Sequence, residues 1–267
     1  MNQGLFRAFL RLARRWMPHA LRQGLLKTWR SFQKPYVRYE GFRLPPPYLR
    51  YGEAEFRTDA RFVASAREEV RRIQAVFPLN QTHSVLDVGC GTARFALGLQ
   101  AELGGVREYV GLDVDPRPIA WNQAQLSAVY PFARFVHVPL QHVRYHPDGT
   151  PLKADFRFEI ASASVDVVYV YSVFCHLVTD ELRAYFAEFA RVLQPDGVLF
   201  CTAYLEDNVP PETINPENYI QAWTYPRHCV RFGRQHVVEL LQEAGFRAIQ
   251  VADAREYDGE RAIFAWK

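Results

Sequence analysis

The sequence predicts an α/β fold: a doubly wound, seven-stranded, mostly parallel sheet carrying an N-terminal helical extension. Three observations predict it. Residues 84–88 form a short apolar run that ends in the glycine loop Gly89-Cys90-Gly91 and opens into a helical segment. Further apolar runs at 109–115, 135–138, 165–171 and 198–200 are separated by long connections, the pattern of strands laid side by side in a parallel sheet. Two last apolar runs, 246–251 and 262–266, follow a helical stretch at 235–244 that stops at Gly245.

The first strand and its loop carry the most chemistry. Val85, Leu86 and Val88 supply the buried strand, while Gly89 and Gly91 allow a tight turn and close approach of a ligand. Strand, glycine loop and helix N-terminus form the nucleotide-binding corner of a doubly wound fold. A dinucleotide needs G-x-G-x-x-G for its pyrophosphate, and here the third position is Arg94. A pyrophosphate beside Asp87 is repelled by about 4 kcal/mol per unit charge at ~4 Å in an effective dielectric of ~20. The same carboxylate attracts a cation. The stretch resembles the first motif, D-x-G-x-G-x-G, of the class I S-adenosylmethionine-dependent methyltransferases, with Ala93 in place of the third glycine. The resemblance implies S-adenosylmethionine, a sulfonium with an amino-acid end and no phosphate. It places Asp87, Gly89, Cys90 and Gly91 around that cofactor; Arg94, beside the loop, is a further candidate, for the cofactor's carboxylate.

The later motifs extend the resemblance over about residues 50–267. Asp113 lies 22 residues after Gly91 at the end of the second strand, where the family holds the ribose, and Val114 takes the position lying against adenine. Asp115, directly before Pro116, reads as a helix N-cap. The third strand is followed by Leu140 and Gln141 where the family often has an Asp for the adenine amino group; the Leu140 backbone and Gln141 amide are the available substitutes. The fourth strand runs into Tyr171-Ser172-Val173-Phe174-Cys175-His176, outside the carboxyl end of the sheet, where ligands bind. Asp166, at the start of that strand, reads as structural. No Asp/Asn-Pro-Pro-Tyr appears, which argues against amino methylation of adenine or glutamine. Residues 191–200 resemble the R-V-L-x-P-G-G turn before the family's fifth strand, and the family implies a closing hairpin with one antiparallel strand.

Charge divides the chain differently. Residues 1–39 hold nine of the 32 basic side chains and no acid, leaving 23 basic against 29 acidic residues beyond them. Leu5, Phe6, Phe9, Leu10, Trp16 and Met17 recur at helical spacing among arginines, so this arm reads as amphipathic. Resting on the inner membrane surface, docking on the domain, and serving as a nucleic-acid or transit segment remain open readings. A nucleic-acid partner is the least favoured. The expected organisation is an arm at 1–39, a linker and cofactor-closing segment at 40–58 with Arg50 or Tyr51 over the methionine end, and a methyltransferase domain at 59–267. Four scattered cysteines lack metal or disulfide spacing, which suits a cytoplasmic chain, peripheral on the membrane's cytoplasmic face, and no metal is expected.

Methyl transfer to a hydroxyl requires a base for its proton. His176, just beyond the fourth strand, is the best-placed imidazole, and His228 is second. The proline-rich stretch 204–232 reads as a lid, in which Tyr204, Trp223 and Tyr225 suit a sugar, glycoconjugate or aromatic acceptor or else pack the lid itself. The expected activity is O-methylation. A nicotinamide oxidoreductase, and a catalytically silent methyltransferase fold serving as a membrane adaptor, are the alternatives.

Overall fold

A computed structural model describes residues 34–50, 54–153, 155–220, 223–256 and 258–267. The amphipathic stretch before residue 34, and Tyr51, lie outside them.

The main sheet has the strand order β10-β11-β7-β6-β3-β4-β5. At its centre β3 (Ser84–Val88) runs parallel to β4 (Glu108–Asp113) and β6 (Val165–Val170), with Asp87 opposite Gly111 and Tyr169. β5 (Ala133–His137) and β7 (Leu193–Glu206) extend the parallel set outward. β11 (Arg261–Trp266) lies antiparallel to β7, and β10 (Ala248–Arg255) pairs antiparallel with β11. The closing hairpin and its antiparallel strand are therefore present.

Alternation along the strands builds a core on each face. Leu86, Val110, Val168 and Val170 pack with Phe186, Phe189 and Leu240 on one side. Val85, Tyr109, Val167, Tyr169 and Phe200 pack with Phe62, Phe95 and Ile119 on the other. α1 (Asp59–Gln74) presents Phe62, Val63, Ala66, Val70 and Ile73 at three- and four-residue spacing, and the Thr58 hydroxyl accepts from Arg61 N at its start. It lies so close to α2 (Arg94–Leu103) that a methyl on Gly98 would stand 2.1 Å from the Ala66 carbonyl oxygen. α3 (Pro116–Gln125) is capped by Asp115, whose carboxylate accepts from Arg117 N. α4 (Thr179–Val192) and α5 (Arg234–Glu243) cover the opposite face. Asp166 is structural: its carboxylate accepts from Ser84 N and pairs with Arg107.

The structure departs from the sequence reading in three places. First, residues 34–39 belong to the folded domain, because β1 (Val37–Tyr39) pairs with β2 (Phe42–Leu44) and Trp121 Nε1 donates to the Pro35 carbonyl. Second, the segment from 40 is packed rather than a free linker. Leu44, Pro45 and Pro46 are buried, and Arg50 is spent on the carbonyls of Pro45, Phe56 and Arg57 and on Asp59 at 2.6 Å. Third, the stretch after β7 carries its own ribbon. β9 (Val230–Gly233) runs parallel to the end of β7, and β8 (Glu212–Ile214) pairs antiparallel with β9.

Candidate active site

A cavity of about 750 Å³ opens at the carboxyl ends of β3, β4 and β6. Its floor is the glycine loop. Gly89 N and Cys90 N donate to the Leu112 carbonyl, tying the loop to β4, and Gly91 N donates to Asp113 Oδ2 at 2.8 Å. Gly89 has φ +80, and a side chain there would strike Val173 at 2.3 Å. Ala93 stands at φ 60 as the residue before α2. It adopts the left-handed conformation that favours the glycine it replaces, so the loop keeps its shape with a methyl in it. Cys90 lines the cavity; its thiol lies near Asn122 and Gly111, and burial pushes its pKa up.

Charge in the cavity is arranged in opposed pairs. Asp87 is 2% exposed and accepts a 2.5 Å hydrogen bond from the Tyr109 hydroxyl. Burial pushes its pKa up to about 7, against the pull of Tyr109 and the Arg94 charge. Arg94, the first residue of α2, lies between the rings of Phe56 and Tyr171, at 4.7 and 4.9 Å. Its Nη1 is buried without a hydrogen-bond partner, and the nearest carboxylate oxygen, on Glu69, stands 3.9 Å away. A buried cation without a partner, on a residue lining a cavity, suits an anionic ligand group. Asp113 closes β4. Its oxygens accept from Gly91 N and Asp115 N, and burial moves its pKa up to about 6. A carboxylate with two such bonds still has lone pairs for ribose hydroxyls.

The adenine side is partly corrected. Val114, Leu140 and Gln141 all line the cavity. The Leu140 backbone, however, is occupied: its N–H donates to Val138 and its carbonyl accepts from His146 Nδ1. The Gln141 amide nitrogen is likewise engaged, donating to the Pro147 carbonyl.

On the acceptor side the structure gathers residues far apart in sequence. His176 ends a 3-10 turn (Phe174–His176), and its Nδ1 donates to the Arg227 carbonyl at 3.2 Å. Burial holds its pKa below the usual imidazole range. His228 stacks on Tyr225 with ring centroids 4.0 Å apart, and its Nδ1 accepts from Thr224 N. Tyr225 lines the cavity and its hydroxyl accepts from Arg144. Tyr204 also lines the cavity, its hydroxyl directed to the Asp258 carbonyl. Trp223 does not: its indole donates to the Pro216 carbonyl and packs among Tyr204, Tyr219 and His228, so it serves the lid. Ser172 stands at φ +54, held by Thr202, which hydrogen-bonds the fully buried Glu260. His142, Arg144 and Tyr145 also line the cavity, though the sequence reading passed over them. They lie in a polar connection without periodicity or motif, and only its density of imidazoles could have signalled them.

The methyltransferase-domain family model matches residues 56–251, nearly three quarters of the chain. The chain belongs to this family. By family and by fold it groups with the class I S-adenosylmethionine-dependent methyltransferases. Among curated relatives, O-methyltransferase cnsE of Penicillium expansum is 25% identical over 178 residues, 66% of this chain and 56% of that protein. The chain thus spans little more than half the length of that relative. The methyltransferase partner of the Haloferax volcanii Trm112 activator superposes with a TM-score of 0.53 at 16% identity, covering 77% of this chain and 96% of that one. The [4+2]-cyclase SpnF gives a TM-score of 0.53 at 14% identity, covering 76% and 81%. These structural likenesses establish the fold alone. The second of them, a cyclase, illustrates why activity has to be argued from the site.

The donor set fits the family's cofactor. An amino-acid end needs a cation for its carboxylate and an anion for its ammonium, and Arg94 and Asp87 present both within one cavity. Asp113, at the end of the neighbouring strand, presents the acid a ribose needs.

Proposed function

We propose that this methyltransferase uses S-adenosylmethionine to methylate a hydroxyl oxygen, on an aromatic or sugar-like acceptor, with His176 as the base. The observation that carries the reading is the His176 tautomer. A carbonyl only accepts, so the bond to Arg227 fixes the proton on Nδ1 and leaves Nε2 with its lone pair. His176 lines the cavity that holds the cofactor-binding groups, and its lowered pKa keeps it neutral at neutral pH.

The roles of the remaining residues follow from their charge. Arg94 would take the cofactor's carboxylate, Asp87 would favour its cationic centre, and Asp113 would accept from its ribose. The bound cofactor supplies an electrophilic methyl group on a good leaving group. The chain's part is to align the acceptor oxygen with that methyl and to remove its proton. Tyr225 and Tyr204 would flank the acceptor ring. Because His228 spends Nδ1 on Thr224 N, it serves as a wall of the acceptor site rather than as the base. The relative from Penicillium expansum, named an O-methyltransferase, supports the choice of oxygen.

The test is methyl transfer from labelled S-adenosylmethionine to a panel of phenols and sugars. His176→Ala is expected to lower kcat by about 10²–10⁴, the range for losing a general base, while S-adenosylhomocysteine binds as before. Full activity in that variant would remove His176 from the mechanism. Cofactor binding without turnover on any acceptor would favour the adaptor reading.

A further inference from the structure

His142 has no role in the reading above, yet its geometry complements that of His176. It sits in a tight turn whose backbone is closed on both sides: His142 N donates to the His146 carbonyl, and His146 N donates back, each at 2.9 Å. The imidazole folds over this turn. Its Nδ1 accepts from the backbone N–H groups of Arg144 and Tyr145, both at 3.2 Å. A nitrogen that accepts two amide protons carries none, so the neutral ring bears its proton on Nε2. Burial of the ring, and after it the neighbouring His176, Arg144 and Arg227, disfavour the imidazolium, and the pKa falls to about 4. His142 is therefore a neutral donor, and His176 a neutral acceptor.

The two rings meet edge to face, with centroids 5.3 Å apart and planes at 78°. Both residues line the cavity. Tyr145 and Tyr225 stand beside the pair, 6.3 and 6.4 Å from the His176 ring.

We propose that His142 and His176 act as a donor–acceptor pair that selects oxygen: His176 Nε2 takes the acceptor's O–H proton while His142 Nε2–H donates to the same oxygen. The inference rests on His176 being the base. The O–H bond breaks and its proton passes to His176 Nε2. The oxygen forms a bond to the methyl carbon, and the electron pair of the sulfur–methyl bond stays on the departing thioether. Oxygen has two lone pairs, so one can accept from His142 while the other attacks. A neutral amine nitrogen has one, and a hydrogen bond from His142 would occupy the pair that must react. As negative charge grows on the oxygen, the His142 N–H stabilises it, the service an oxyanion-hole donor gives.

The first test needs no turnover. Long-range proton–nitrogen spectra of the full chain labelled with ¹⁵N-histidine report each tautomer, with assignments from the His142→Gln and His176→Gln variants. The expected result is His142 protonated at Nε2 and His176 at Nδ1; the opposite tautomer at either ring overturns the proposal. The second test compares His142→Phe with His142→Gln on matched phenol–aniline and benzyl alcohol–benzylamine probes. Both variants lose the contact to Arg144 N and Tyr145 N, but glutamine can return an N–H near the Nε2 position. Phenylalanine is expected to cost about 100-fold in kcat on the hydroxyl probes, the scale of one oxyanion donor, and glutamine to recover tenfold or more. Equal losses, or faster transfer to the amines by the wild-type enzyme, overturn it. If S-adenosylhomocysteine does not bind the wild-type chain, the methyl-transfer reading fails separately, and the tautomers still decide the geometry of the pair.

Discussion

Replacing Asp87 with Asn separates what this carboxylate costs the fold from what it contributes to the ligand. In the wild-type chain burial raises its pKa from 3.8 to about 7. The folded pKa lies above the unfolded one, so between those values the folded chain binds the extra proton and its stability falls as pH rises. At about 1.4 kcal/mol for each pH unit, moving from pH 5 to pH 8 withdraws about 3 kcal/mol that the protonated form supplied. Asn does not titrate, and its carbonyl can still accept from the Tyr109 hydroxyl. The variant is therefore expected to lack that loss, gaining about 3 kcal/mol on the wild type between pH 5 and pH 8. Asp113 titrates nearby with a pKa of about 6, but it is present in both proteins and largely cancels in the difference. Ligand binding should move the opposite way. A cationic ligand favours the ionised acid, so wild-type affinity for S-adenosylmethionine should rise with pH from 6 to 8. The variant's affinity should be flat and about 10–100-fold weaker at pH 8, the worth of a hydrogen bond to a charged group. Urea unfolding at the two pH values and titration calorimetry measure both effects. A variant less stable at pH 8, or one that binds with wild-type affinity, would refute the reasoning.

Three further outcomes are expected. Arg94→Leu should weaken S-adenosylhomocysteine about 10–100-fold by removing the cation whose Nη1 awaits a partner, and an unchanged Kd by calorimetry would exclude Arg94 from the carboxylate site. Gly98→Ala drives a methyl toward the Ala66 carbonyl oxygen at 2.1 Å; urea unfolding should show a loss of about 1–3 kcal/mol or more, and unaltered stability would mean that α1 and α2 separate without cost. The membrane contact proposed for the basic N-terminal segment predicts that the full chain floats with anionic vesicles and that a chain lacking residues 1–33, with seven fewer basic side chains, floats much less; equal flotation would end that proposal.

The central parallel strands were legible because they are buried on both faces and read as apolar runs interrupted by a single acid, as Val85 to Val88 and Val165 to Val170 do. The glycine loop was legible for another reason: Gly89 and Asp87 are residues whose conformational freedom and charge exceed what a plain turn requires. The acceptor side was not legible. His142 matters through two backbone contacts to its own turn, and Trp223 faces away from the cavity through one hydrogen bond to Pro216. Neither relation leaves a periodic trace. Arg50 lines the cavity, but that its guanidinium is held by three carbonyls was not legible, since the letter is the same either way. The β8–β9 ribbon was hidden by prolines 210, 211, 216 and 226, which mark loops in most contexts.

That ribbon bears on how the acceptor range could change. Because β9 shares backbone hydrogen bonds with β7, the wall carrying Tyr225 and His228 is anchored in the sheet that also carries the catalytic floor. Widening the acceptor chamber by loosening this wall would mean peeling a strand from the sheet, so substrate scope is expected to evolve through exchange of side chains on a fixed frame. Libraries confined to the 223–228 turn should alter which molecules are accepted while leaving melting temperature nearly constant.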